Sequence, residues 1–106
     1  MRVRITPEAE AQLGERKRWW RQHRDKAPDL FDREFFTAME RIASSPTSFP
    51  VFAEKRGRRI RRCLMPKTAC HLYFEILDHR SEVSVVAAGG GRRAKPPRYR
   101  LQEGGR

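Results

Sequence analysis

The apolar pattern of this chain changes period near its middle, and that change restricts what it can fold into. Phe31, Phe35, Ala38 and Ile42 are spaced by four, three and four residues, which places them on one face of a helix. Further on the period is two. Leu72, Phe74 and Ile76 alternate with His71, Tyr73 and Glu75, and Val83, Val85 and Ala87 alternate with Ser84, Val86 and Ala88. Strict alternation is the pattern of half-buried strands. Helices gathered in one half and strands in the other predict an α+β domain, not a doubly wound sheet.

The remaining segments fit that plan. Residues 2–6 alternate, with Val3 and Ile5 on one side, and predict a short strand. Thr6-Pro7-Glu8 is a helix start: a hydroxyl cap, proline at the first position and a carboxylate in the first turn. The first helix is expected from about Pro7 to Asp25, with Ala9, Leu13 and Trp20 on its apolar stripe. Trp19 lies off that stripe, toward solvent or a partner. Lys26-Ala27-Pro28-Asp29 breaks the helix, and a second runs from about Asp29 to Ser44, with Phe36 and Met39 widening its apolar face. Two helices so closely joined predict an antiparallel hairpin.

Residues 46–57 are expected as a loop with Phe49, Val51 and Phe52 tucked onto the core. Strands are expected at about 58–65, 70–77 and 82–88, with turns at Pro66-Lys67 and Asp78-His79-Arg80-Ser81. The predicted order is βααβββ, with the helical hairpin packed on one face of a small antiparallel sheet. Residues 1–95 form the domain and 96–106 a basic C-terminal tail.

Charge is concentrated in the second half. The 106 residues carry a formal net charge of +11, of which +1 lies in residues 1–54 and +10 in residues 55–106. Six of the eight residues from Lys55 to Arg62 are basic, and Arg92, Arg93, Lys95, Arg98, Arg100 and Arg106 follow. Such a field attracts phosphate or an acidic protein. No stretch approaches the ~20 apolar residues of a membrane span, and residues 1–20 lack the pattern of a secretory signal. A cytoplasmic location is therefore expected. Two cysteines are too few for a disulfide scaffold, and Cys63 and Cys70 are expected as free thiols. His23, His71 and His79 are scattered, so neither a metal nor a cofactor is called for.

The basic strand divides its side chains between two faces. Arg59, Arg61 and Cys63 share one side, and Arg58, Ile60, Arg62 and Leu64 the other. With Ile60 and Leu64 turned toward the helices, Arg59 and Arg61 face outward beside His71, Tyr73 and Glu75. Metal-free RNA cleavage needs a base, an acid and cations around the charged transition state. His71, Tyr99, Arg61 and Arg93 are of the types that fill those roles. A basic face that docks an acidic protein needs less. Gly89-Gly90-Gly91-Arg92-Arg93 lacks the phosphate-loop pattern and serves more simply to turn two arginines outward.

Several local patterns in sequence carry a resemblance. They are TPEAEAQL at the first strand-to-helix junction, ERIASSPTSFP closing the second helix, RRIRRCLMPKTACHLYFEI across the middle strands and VSVVAAGGGRR at the last strand. Over about residues 2–95 the chain resembles the RelE/ParE superfamily of bacterial type II toxins. The resemblance implies a helical hairpin against one face of a small antiparallel sheet. It also implies one of two activities. RelE-like members cut mRNA in the ribosomal A site, whereas ParE-like members inhibit DNA gyrase and are not nucleases.

The long stretch from Ala9 to Pro46 resembles the longer ParE hairpin, as do the RRC before a turn and the strand HLYFEI. A RelE-like site, if present, would use Arg61, His71, Arg93 and Tyr99, with His71 standing where that branch places an arginine. Glycines precede Arg92 where many ParE-like members carry a histidine.

The leading expectation is a ParE-like gyrase inhibitor that meets its target through Arg59, Arg61, Arg92 and Arg93. A ribosome-dependent endonuclease acting on mRNA is the second, and a non-toxic basic binding module the third. Either toxin implies an acidic antitoxin that folds onto this chain as a hetero-oligomer, with Arg16, Trp19, Trp20 and Tyr73 as its contacts.

Overall fold

Thr6 is where the chain turns from strand into helix. Its Oγ1 accepts the N–H of Ala9 at 3.2 Å, and Pro7 takes the first helical position, where no N–H is needed. In the computed structural model, which describes residues 1–90, this junction joins β1 (Arg2–Ile5) to α1 (Pro7–His23). Glu8 and Glu10 sit in the first turn of α1, the electropositive end of the helix. At the other end Arg24 N–H closes on Trp20 O at 2.8 Å. The Trp20 indole then donates to Ala27 O at 2.8 Å, which fixes the turn into α2 (Leu30–Ser44).

The chain is α+β, with the two helices followed by β2 (Val51–Lys55), β3 (Arg58–Met65), β4 (Cys70–Leu77) and β5 (Glu82–Gly90). Single 3-10 turns at Pro46–Ser48 and Asp78–Arg80 join them. The sheet order is β1-β5-β4-β3-β2. Two features of the expected βααβββ meander are corrected. First, β1 pairs with β5 in parallel, so the sheet is mixed. Second, the expected loop contains β2, which pairs antiparallel with β3 and gives the order βααββββ. Arg56 and Gly57 both have positive φ (54° and 75°). That is the two-residue turn whose twist matches a hairpin.

Bulges set which side chains face which way. Tyr73 pairs with Ala87 but Phe74 pairs with Val85, which leaves Val86 as an extra residue. The alternation read from the sequence therefore breaks there. Val83, Val85 and Ala88 face the helices, while Val86 and Ala87 both join the opposite cluster. A second irregularity lies between Val51 and Ala53, at Phe52.

The main core lies between helices and sheet. It holds Ala9, Leu13, Trp20, Phe31, Ala38 and Ile42 against Cys63, Met65, Leu72, Phe74, Val83 and Val85. Each large aliphatic or aromatic side chain fully buried there contributes about 1.5–3 kcal/mol. Phe49 is buried edge-to-face on Phe74, with ring centroids 5.7 Å apart. Met39 packs against this core as the sequence suggests, but Phe36 does not and is 66% exposed. α1 also closes the edge that short β1 leaves open: Gln12 Oε1 accepts Ala88 N–H at 2.9 Å, beyond the last β1 pair at Val85. Among the described residues no helix is long and apolar enough to cross a membrane.

Candidate functional site

The sheet face turned away from the helices carries a group of ionisable side chains. On β3 it presents Arg58, Ile60 and Arg62, and on β4 His71, Tyr73 and Glu75, because Arg62 pairs with Tyr73 and Leu64 with His71. This reverses the expected assignment. Ile60 belongs to the far-face cluster with Tyr73, Val86 and Ala87, while Arg61, Cys63 and Met65 take the helix side. Both Ile60/Leu64 and Cys63/Met65 fit a two-residue period, so β3 alone does not say which set is inward. Its pairing with β4 decides, by setting Cys63 opposite Leu72 and Met65 opposite Cys70.

The reversal scatters the expected cations. Arg61 lies on the helix side, where Nη1 donates to Phe49 O at 2.6 Å and to Thr47 O at 3.3 Å. It pins the turn after α2. Arg59 is exposed near the hairpin tip, with Nε 3.5 Å from Glu54 Oε1. Arg61 and His71 therefore lie on opposite faces of the sheet. Arg92, Arg93 and Tyr99, and the expected boundary at residue 95 with its tail, lie outside the described residues.

The far face is packed. Tyr73 is 1% exposed, with its ring 5.3 Å from that of Phe52. The Arg62 guanidinium stands 4.5 Å from the Phe52 centroid, a cation–π contact. His71 lies 6.1 Å from Tyr73. Burial, and then the Arg62 charge, lower the His71 pKa below its ordinary 6.5, which favours the neutral imidazole.

Glu75 is buried and grips Arg58 with both oxygens: Arg58 Nε donates to Oε2 at 2.9 Å, and Nη2 donates to Oε1. Burial still leaves the Glu75 pKa above its ordinary 4.5, against the lowering effect of Arg58. The basic run in the sequence hid this pair, since nothing local distinguishes Arg58 from its neighbours.

The expected antitoxin contacts also separate. Trp19 is 40% exposed, its ring stacked on His23 at 4.3 Å with the Arg16 guanidinium 4.9 Å from its centroid. Arg16 also packs on Gly90, where an added Cβ would lie 3.3 Å from Nη1. Arg16, Trp19 and His23 thus form one cationic and aromatic surface on α1. Trp20 is a core residue held by Ala27, and Tyr73 belongs to the far face.

Among the described residues no three His, Cys, Asp or Glu side chains gather as a metal site. Cys63 and Cys70 are buried free thiols, and desolvation pushes Cys70 up to about 11. No protein-family model matches the chain, and no curated protein matches it.

Proposed function

We propose that this chain is the toxin of a type II toxin–antitoxin pair, of the ParE-like kind that inhibits DNA gyrase in the cytoplasm. The observation that carries the reading is the helical hairpin. Helices of 17 and 15 residues cover one face of a small sheet that is followed by a basic segment. This is the layout of the longer-hairpin branch that the local patterns resemble. The far face supports the same choice. The residues of a RelE-like site are divided, with Arg61 bound to the turn after α2 and His71 on the other side of the sheet.

In this reading the protein is not an enzyme. Its net charge of +11 draws it to a negatively charged assembly, and association is fast and salt-sensitive. An acidic antitoxin segment neutralises it by ordering on the Arg16–Trp19–His23 surface of α1, where a cation and a flat apolar ring stand side by side.

Supercoiling of relaxed plasmid by purified gyrase tests the proposal. Addition of the protein is expected to halt supercoiling. Undisturbed activity at a large molar excess overturns the reading. Cuts in mRNA on translating ribosomes would replace it with the endonuclease, and continued growth on overexpression with the non-toxic binding module.

A further inference from the structure

A second surface lies on the opposite helix from Trp19. β2 pairs with β3 only as far as Val51 opposite Arg61, and Pro50 O takes the next N–H, from Arg62. The end of β3 therefore runs past its neighbour and faces α2 across a groove of about 330 Å³. Leu30 and Ala38 from α2, Met65 at the end of β3 and Pro66 just beyond it give it an apolar lining, of which Leu30 and Pro66 are the more accessible part.

Its rim is cationic. Arg33, Thr37 and Arg41 recur every four residues along α2, and Lys67 stands on the other wall. Arg33, Arg41 and Lys67 are all exposed, and none is in an ion pair among the described residues. Glu34 is the acid among the described lining residues, and it is already engaged. Its carboxylate accepts the backbone N–H groups of Lys67 and Thr68 and the Thr68 hydroxyl.

We infer that this groove binds an extended acidic segment of a partner protein that carries an apolar anchor. Arg41 is held on the Phe49 ring, 5.0 Å from its centroid, which leaves Arg33 and Lys67 as the other exposed cations, one on each wall. An apolar floor between those two cations recognises that combination and rejects a purely polar or basic strand. From Leu30 to Arg41 the helix rises about 16 Å. That length accommodates about five extended residues. The inference does not rest on the toxin reading, so a negative gyrase result leaves it standing.

The test uses fluorescence anisotropy with the full chain. The probe is a fluorescein-labelled peptide in which Asp and Glu flank a Leu-Phe pair, compared with the same peptide carrying Ser-Ser. The Leu-Phe peptide is expected to bind, and the Ser-Ser peptide to bind at least about tenfold more weakly. Arg33→Glu with Lys67→Glu is expected to weaken binding by more than about tenfold, and Thr37→Trp, which fills the groove from an exposed helix position, to do the same. Arg18→Glu on α1 changes the net charge without touching the groove and is expected to leave binding in place. Circular dichroism confirms that each variant is folded. The inference is overturned if the Leu-Phe peptide does not bind, if the Ser-Ser peptide binds equally, if Thr37→Trp has no effect, or if Arg18→Glu weakens binding as much as the groove reversals do.

Discussion

Glu34 on α2 and Thr68 in the turn between β3 and β4 are joined twice: the Thr68 N–H and its Oγ1 both donate to Glu34 Oε1 at 2.8 Å. The second carboxylate oxygen accepts Lys67 N–H, also at 2.8 Å. Thr68 is buried although Lys67 and Ala69 on either side of it are exposed, and Ala69 has a φ of 55°, in the left-handed region. Bonds to a charged acceptor are worth about 1.5–3 kcal/mol each before coupling. Glu34→Ala orphans a buried N–H and a buried hydroxyl and is expected to lower stability by about 2–4 kcal/mol. Urea unfolding reads this as a lower midpoint with an unchanged slope. Glu34→Gln, which keeps an acceptor, is expected to fall between.

Glu75 and Arg58 give a different signature. Arg58→Ala leaves a carboxyl that is 3% exposed without its bidentate partner. Removing one partner of a buried pair costs about 3–5 kcal/mol at neutral pH. The loss depends on pH. Glu75 ionises above its ordinary 4.5 in the folded chain, so the unfolded chain releases this proton first. Stability from this group therefore falls as pH rises from 4.5 through the higher folded value, then levels off. Arg58→Ala removes the lowering influence, so the fall extends further toward neutrality. Urea midpoints collected across pH check it, and a pH-independent loss would contradict it.

Much of the fold was legible in the sequence because its periods are clean. The β3, β4 and β5 segments, both helices and the Thr6 cap follow from spacing and capping chemistry. β2 was not legible, because its hairpin turn uses Arg56 where asparagine or aspartate usually announces such a turn. The faces of β3 were not legible either. RRIRRCLM carries two apolar sets of period two, and only the register against β4 selects between them. The bulge at Val86 adds a phase change that no run of valines and alanines reveals. The candidate site suffered most, since one strand read in the wrong phase moves Arg61 across the sheet from His71.

His71 and Arg62 test the electrostatics of the far face. Burial and the nearby guanidinium keep the imidazole pKa below 6.5 in the folded chain. The unfolded chain thus takes up this proton first as the solution is acidified. Stability from His71 is full above 6.5 and is lost as pH falls through that value toward the folded one. Arg62→Gln removes the smaller of the two causes and is expected to move the His71 midpoint upward, with burial still holding it below 6.5. A titration of the His71 ring protons by NMR measures it. An unchanged midpoint would assign the shift to burial alone.

The Arg56-Gly57 turn yields a prediction of both signs. Gly57 has φ +75° and no atom within 4 Å of where a Cβ would stand, so Gly57→Ala meets no clash and carries only the backbone penalty. That penalty is about 1–2 kcal/mol for an L-residue in the left-handed region. Arg56 already bears such a penalty, at φ 54°, which asparagine relieves through its local hydrogen bonding. Arg56→Asn is therefore expected to stabilise the chain by about 0.5 kcal/mol. In a domain of this size about 1 kcal/mol moves the melting temperature by about 4–8 °C, so both shifts are measurable by thermal unfolding. If Gly57→Ala is neutral, the turn is not held in the left-handed conformation.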